Sequence, residues 1–431
     1  MAVLKKGQSL RSMNGGTIVV ETLLGEGGQG YVYKVDYNGK PMALKWYKAD
    51  ELKDSLNWFY NNLKNNISKG SPNSDFLWPV DLTEWVDGTF GYIMPLRPQG
   101  YEEFPAFLMA QVEFEKFSCM VDAALNIVMG FKILHNRGYT YQDLNDGNFF
   151  IDPKNGKVLI CDNDNVAESG ENSGIVGKAR YMAPLVVVGK KMPDKITDRF
   201  SMAVVLFMLF MRNHPLEGKA VQKKVILTEN YQKKYYGENP VFIADPTNDT
   251  NGPTMAANRN FLIRWPLMSK DIRDLFIAAF SKDAMAEKAS SPIEMVWCRK
   301  LLQYKSDLIY CPHCGKQIVF DHDKPVCMKC KQPLNISAYL SVGHYMIPAV
   351  KGSTLCMEHL IDFDDERYDP TIIGEIICAK NDSSAIGLKN LSDGVWQYQK
   401  GGEYVKVGKG EVIHLIKGRK IKIGSHYVEV V

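Results

Sequence analysis

The sequence has no long hydrophobic run. Its longest uninterrupted apolar stretch is Met202 to Met211, about half of the roughly 20 residues that a membrane-crossing helix needs, so it reads as a buried helix. Met1 to Leu10 is polar after Leu4 and lacks the apolar segment of a secretory signal. An excess of one charge is missing too. Lys and Arg number 52 against 49 Asp and Glu, a net charge of +3, which argues against bulk attraction to nucleic acid or a membrane. Cysteine is sparse, with nine in 431 residues. Four form two C-x-x-C pairs and five are scattered, a pattern that favours metal binding in a reducing, cytoplasmic compartment over a disulfide framework. There is no internal repeat or low-complexity tract. What remains is a globular composition, 45% hydrophobic and 23% charged, long enough for two to four domains at roughly 100–200 residues each.

Hydrophobic periodicity divides the chain. Thr17 to Tyr47 reads as strands, with alternation at Tyr31 to Val35 and a tight turn at Asn38-Gly39. An amphipathic helix follows, with Leu52, Leu56, Phe59, Leu63 and Ile67 at three and four spacings, Asp50 as N-cap and Gly70 to Pro72 as stop. Short strands are predicted in Phe76 to Leu82 and Thr89 to Leu96. From Tyr101 to about Lys305 the patterns are mainly helical, including Val121 to Leu134 and Phe200 to Met211. Within that stretch, Phe149 to Ile151 and Val158 to Ile160 read as strands flanking a turn. Beyond Tyr339, alternating Val, Ile and Gly predict an all-β domain. The fold class is therefore α+β, a sheet-rich lobe and a helical lobe followed by a cysteine-rich segment and a β domain.

Gly25-Glu26-Gly27-Gly28-Gln29-Gly30 satisfies G-x-G-x-x-G. Alone this is weak, because a flexible hairpin turn satisfies it as readily. Here it lies between two predicted strands, where backbone amides can approach phosphates without obstruction by Cβ atoms. Lys45 ends the next strand and could hold anionic phosphates, although a surface lysine on an edge strand would look the same. Tyr141 to Asn148 and Cys161 to Asp164 are rich in Asp and Asn. Such residues commonly form turns, but each cluster adjoins an apolar strand and both follow the glycine loop and the lysine in order.

With these motifs in this order, residues 1–305 resemble the eukaryotic-like serine/threonine protein kinases. The resemblance implies a bilobal fold, with an N-lobe of about 1–95 and a C-lobe of about 96–305. It implies an ATP site of Gly25, Gly27, Gly28, Gly30, Val32, Ala43, Lys45, Met94 and Leu96. Met94 stands at the gatekeeper position and Pro95 to Arg97 at the hinge. It further implies Asp143 as catalytic base, and Asn148 and Asp162 as ligands of Mg²⁺ or Mn²⁺. Oxygen ligands suit such an ion, and phosphoryl transfer needs positioning and charge neutralisation more than covalent chemistry. Met182 to Pro184 looks like the end of the activation segment, and Asp198 like the aspartate opening the buried helix.

Several family residues are missing. Tyr141-Gln142 replaces His-Arg, removing the arginine that receives an activation-loop phosphate. Asn145 replaces a lysine near the γ-phosphate. Asn163-Asp164 replaces Phe-Gly. Lys178 stands where a threonine shapes the acceptor site. Leu185 replaces the glutamate of A-P-E, and its arginine partner would fall near Lys288. The helix glutamate expected to pair with Lys45 is unassigned, since Asn61, Asn62, Lys64 and Asn65 fill its region. Glu51 is the candidate, but it lies in the helix's first turn, where a carboxylate also complements the helix dipole. Retained Lys45, Asp143, Asn148 and Asp162 favour an active kinase with a protein substrate. Asn145, Asn163 and the missing glutamate favour the alternative, a pseudokinase scaffold that binds nucleotide without transfer.

Cys311, Cys314, Cys327 and Cys330 form C-x₂-C-x₁₂-C-x₂-C within residues 306–338. Two thiolate knuckles complete a closed tetrahedral site, so this segment reads as a zinc ribbon holding structural Zn²⁺. Mixed Lys and Asp there argue against a nucleic-acid-binding ribbon. Residues 339–431 resemble a forkhead-associated (FHA) β-sandwich, best over the last sixty residues. Glu375 stands where that family has a phosphate-binding arginine, so phosphopeptide binding does not follow. The order of domains, with Asp-Asn-Asp for D-F-G and Phe76-Leu77-Trp78-Pro79 in the first lobe, resembles bacterial kinases of tellurite-resistance-type stress clusters. That resemblance implies a PPM-type phosphatase and a von Willebrand A-type protein as partners, and no membrane.

Overall fold

The computed structural model describes residues 3–52, 55–171, 177–222, 228–379 and 385–431. The first lobe is built on one antiparallel sheet. Its strands are β1 (Ser9–Arg11), β2 (Thr17–Glu26), β3 (Gly30–Tyr37), β4 (Lys40–Tyr47), β5 (Asp81–Leu82) and β6 (Gly91–Pro95), in the order β1-β2-β3-β4-β6-β5. The β3–β4 hairpin turns at Asn38 and Gly39, both at positive φ, as the sequence predicts for a two-residue turn that matches strand twist.

Where the sequence predicts a single helix, two helical segments are described, with residues 53–54 between them outside the described residues. Helix α1 (Ala49–Leu52) precedes α2 (Leu56–Lys69), and Asp50 lies in the first turn of α1 rather than capping a long helix. Helix α2 ends at Gly70, whose positive φ lets its N–H reach the carbonyls of Asn66 and Ile67. Its buried face carries Leu56, Phe59 and Leu63 as predicted, but also Asn62 and Asn66. Buried amides need partners, and theirs lie in the catalytic cleft.

Two buried helices organise the second lobe. One, Phe117–Asn136, is long and apolar enough to cross a membrane but is mostly enclosed by the lobe. The other, Lys195–Met211, starts with a reciprocal cap. Asp194 accepts from the N–H groups of Ile196 and Thr197, and the Thr197 hydroxyl accepts from the Asp194 N–H. Every residue from Phe200 to Met211 is buried, so the apolar run is core. The strands Phe149–Ile151 and Val158–Ile160 pair antiparallel, as read from the sequence.

The last helix of this lobe, Glu294–Ser306, leads into the cysteine segment, where strands Leu308–Tyr310 and Gln317–Val319 pair antiparallel. The C-terminal region forms two antiparallel sheets, of six and four strands. It is not wholly β, because Glu358–Ile361 forms a short helix. This helix is locked by its own first residue. Buried Glu358 accepts from the N–H groups of Phe363 and Asp369, and the segment it organises docks on the helical lobe. Arg299 pairs with Asp362 and Arg137 with Glu366, and Lys305, itself paired with Asp122 inside the lobe, donates to the Tyr368 hydroxyl at 3.0 Å. The Tyr368 hydroxyl also donates to Asp122, at 2.6 Å.

Candidate active site

Strand β4 ends with Lys45 and Tyr47 on the face toward the second lobe. Lys45 is 6% exposed, so its ammonium needs counter-charge. Its Nζ lies 2.8 Å from Asp164 Oδ2 and 3.4 Å from Asp162 Oδ1, and 3.3 Å from Gln29 Oε1 in the glycine loop. Burial works against the charged form, but the two carboxylates outweigh it and raise the lysine's pKa above its ordinary value. Asp164 is fully buried, and the same Oδ2 accepts from the Tyr47 hydroxyl at 2.6 Å. The candidate partner Glu51 is not paired with Lys45. It is exposed on α1, where its N–H bonds to the Lys48 carbonyl. The buried lysine instead takes the carboxylate that replaces the glycine of D-F-G.

Helix α2 reaches the same place through amides. Asn62 Nδ2 donates to the carbonyls of Asp164 (3.1 Å) and Val166 (2.9 Å), and Asn66 Nδ2 donates to Val166 (2.8 Å). The helix thus holds the backbone of the Asp162 segment, while Asp164 holds Lys45. Asn163, which replaces the D-F-G phenylalanine, is fully buried and donates to the carbonyls of Leu77 and Ile160, both at 3.0 Å. A hydrophobic plug has become a polar latch. Asp162 is left-handed (φ 54°, ψ 45°), and its side chain is 41% exposed toward the cleft.

The catalytic loop hangs from Asp198 in the first turn of the buried helix. Asp198 Oδ2 accepts from the Tyr141 N–H at 2.6 Å, and Oδ1 accepts from the Gln142 N–H at 3.3 Å. His135 braces the aspartate at 3.1 Å and contacts Glu294 at 2.7 Å. Asp143 Oδ1 is buried with no hydrogen-bond partner among the described residues. Burial first, and the charge of Asp162 second, raise the Asp143 pKa to about 6, with Lys178 opposing the shift. A carboxylate poised in this way suits a general base. The turn around it is fixed by Asn145 and Asn148. Asn148 Oδ1 accepts from the Asn145 N–H at 2.6 Å, and Asn145 Oδ1 accepts from the Gly147 N–H at 3.0 Å. The Cys161 N–H bonds to the Asn148 carbonyl at 2.9 Å, which places Asn148 beside the Asp162 segment. These oxygen donors fit a hard divalent cation.

The glycines of the loop differ in role. A Cβ on Gly25 or Gly28 would meet nothing within 4 Å, whereas one on Gly30 would lie 2.4 Å from the Trp46 carbonyl oxygen. Gly30 is therefore demanded by strand packing, and Gly25 and Gly28, with Gly27 between them, leave the opening clear. Below the loop, Ala43 pairs across from Met94 and Val32 from Lys45. Val32, Ala43, Met94 and Leu96 join one apolar cluster with Tyr47 and Phe59.

A further ion pair appears where one seemed lost. Lys191 Nζ lies 2.5 Å from Glu287 and 2.8 Å from Asp194. This pair links the stretch beyond Leu185 to the residue before Lys288, while the Leu185 and Lys288 positions themselves carry no ion pair among the described residues. Asp164, Asn62, Asn66 and Lys191 were missed by motif reading. The helix asparagines carried a signal, since they occupy i and i+4 on the apolar face of α2.

Remote from this cleft, Cys311, Cys314, Cys327 and Cys330 place four sulfurs within 4.8 Å of one another. Each pair sits in a turn closed by backbone bonds, from the Gly315 N–H to the Cys311 carbonyl and from the Lys331 N–H to the Cys327 carbonyl. His313 and His322 bond instead to Pro333 and Asp307. The all-sulfur tetrad is consistent with a closed zinc site.

The protein kinase domain family profile matches residues 18–286. Among characterised sequences, the chain is 27% identical over 210 residues to the probable serine/threonine-protein kinase kinX of Dictyostelium discoideum, covering 44% of this chain and 18% of that protein. A second probable serine/threonine-protein kinase of that organism is 25% identical over 231 residues, 52% of this chain and 54% of its own length. The serine/threonine-protein kinase oca2 of Schizosaccharomyces pombe is 23% identical over 201 residues, 44% of this chain and 30% of its own. The chain thus spans about half of these relatives' length or less.

Proposed function

The chain belongs to the protein kinase family, and on that premise we propose that it transfers the γ-phosphate of ATP to serine or threonine hydroxyls of a partner protein. The observation that carries this reading is the half-buried Asp143 carboxylate, whose Oδ1 has no hydrogen-bond partner among the described residues, sharing a cleft with Lys45 and the left-handed Asp162. In this reading Lys45 binds the α and β phosphates, its ammonium held in place by Asp164. Asp143 orients the acceptor hydroxyl and takes its proton as the oxygen attacks phosphorus. A bound magnesium ion would offset charge on the phosphates, and Asp162 and Asn148 are the residues that would hold it. Serine or threonine as acceptor is supported by the description of the relatives.

The reading extends to setting. A cytoplasmic location is supported by the cysteine tetrad, which suits a reducing compartment. A PPM-type phosphatase and a von Willebrand A-type protein as partners are supported by domain order alone, and an FHA-like fold for the C-terminal sheets by the spacing of strands and glycine turns, without phosphopeptide binding. The test is incubation with Mg²⁺ and γ-labelled ATP, with and without candidate partner proteins, beside Asp143→Asn, followed by phosphoamino-acid analysis. The expected result is label on serine or threonine from wild type only. Equal transfer by both proteins overturns the assignment of Asp143. Binding of ATP without transfer by either would make the protein a nucleotide-binding scaffold.

A further inference from the structure

The catalytic loop has Asn145 two residues after Asp143, and that residue cannot supply positive charge to a transferring phosphoryl group. The structure brings a cation to it from elsewhere. Lys178 Nζ donates to Asn145 Oδ1 at 3.1 Å and lies 4.0 Å from Asp146 Oδ1. Asn145 in turn donates to the carbonyl of Asp143 at 3.2 Å. Lys178 is therefore two hydrogen bonds from the backbone of the candidate base. Its neighbour in sequence packs on the base itself, since a Cβ on Gly177 would lie 2.9 Å from Asp143 Oδ1. The side chain is 64% exposed, which leaves the ammonium accessible at the mouth of the site. Among the described residues, the carboxylates that face it are the mostly buried Asp146, at the edge of ion-pair distance, and Asp143, whose raised pKa its charge opposes.

We propose that Lys178 is a further catalytic residue, an ammonium delivered from the activation segment to stabilise charge on the γ-phosphoryl group in the transition state. The inference rests on the kinase reading above. In the step, the acceptor O–H gives its proton to Asp143, the new O–P bond forms, the bond from phosphorus to the β–γ bridging oxygen breaks, and that electron pair leaves on ADP. Lys178 gains and loses no proton. It acts electrostatically, and its contact with Asn145 fixes where it acts. Ammonium and amide have exchanged elements: the loop contributes the hydrogen-bonding amide and the activation segment contributes the charge.

The test compares wild type with Lys178→Met, Lys178→Gln and the double variant Lys178→Met/Asn145→Lys, which returns the ammonium to the loop. Loss of a transition-state donor lowers kcat by about 10²–10³, so Lys178→Met and Lys178→Gln should both lose kcat to that extent with KM for ATP nearly unchanged. The double variant should recover much of the loss. Wild-type activity in Lys178→Gln, which keeps a hydrogen-bond donor without the charge, would mean that Lys178 only braces the loop and would overturn the proposal. So would a rise in KM with kcat intact. A second readout does not require turnover. Affinity for MgADP with aluminium fluoride, a mimic of the transferring phosphoryl group, should fall in Lys178→Met while affinity for MgADP alone holds. Equal affinities in both proteins overturn the inference even if wild type transfers no phosphate, an outcome that would separately defeat the kinase reading.

Discussion

The cysteine tetrad and the nucleotide cleft both depend on charges held close together, yet they are built in opposite ways. In the tetrad the four sulfurs come from two short knuckles, each closed by its own backbone bonds. Sequence spacing there is nearly the geometry itself. In the cleft the charged groups come from β4, the catalytic loop, the Asp162 segment and the activation segment, and only tertiary structure brings them together. A group missing from one segment can then be supplied by another. The counter-charge of Lys45 comes from Asp164 rather than from helix α2. A cation stands beside Asn145 from Lys178. A different ion pair, Lys191 to Glu287, ties together the stretches near Leu185 and Lys288. Reading such a site position by position counts losses that the assembled structure has made good.

The largest effect expected separates the two regions. Cys311→Ser, or treatment with a strong chelator, should remove about one zinc per chain and with it the bulk of the segment's folding free energy, about 10–16 kcal/mol in comparable small zinc modules. Limited proteolysis should then cut within residues 306–338 while the kinase core resists, because the cysteine segment has its own small apolar cluster, separate from the larger one that joins the helical lobe to the C-terminal sheets. Cutting throughout the chain would mean that the two regions are not independent.

The next effect concerns the base. In the proposed reaction Asp143 works deprotonated, and its pKa is raised to about 6 by burial and by the charge of Asp162. Activity is thus retained above that value and lost as pH falls through it, with kcat/KM declining about tenfold per pH unit on the acid limb. A profile flat down to pH 5 would remove Asp143 from that role. The smallest effect belongs to the Lys191–Glu287 pair. Lys191→Met should cost about 1 kcal/mol, read as a lowered Tm, as expected for a partly exposed ion pair.

The fold was legible wherever local chemistry decides it. The Asn38-Gly39 hairpin, the strands around the Pro153 to Gly156 turn and the buried helix through Phe200 to Met211 all follow from periodicity and turn residues. The start of helix α1 was not, because Asp50 suits a cap and a first helical turn equally well. In the cleft, Lys45, Asp143, Asn148 and Asp162 were visible because their motifs are short and ordered. Asp164 was visible only as a replaced glycine. Its role depends on Lys45, 119 residues away, and on the amide of Asn62 holding its carbonyl in place. Glu51 seemed the natural partner because it is the one glutamate of that helix pattern, but it lies exposed in the first turn, unlike the buried ammonium. Contacts between residues so far apart in sequence leave no periodic signal.

The central claim is that Asp164 has taken over as the counter-charge of Lys45, and MgATP affinity measured by calorimetry tests it most directly. Removing one partner of a buried pair costs about 3–5 kcal/mol. If half of that falls on the nucleotide-bound state, Asp164→Asn should bind MgATP about tenfold more weakly or worse. Asn62→Glu/Asp164→Gly, which returns the carboxylate to helix α2, should recover part of the affinity. An Asp164→Asn protein that binds MgATP as tightly as wild type would contradict the account.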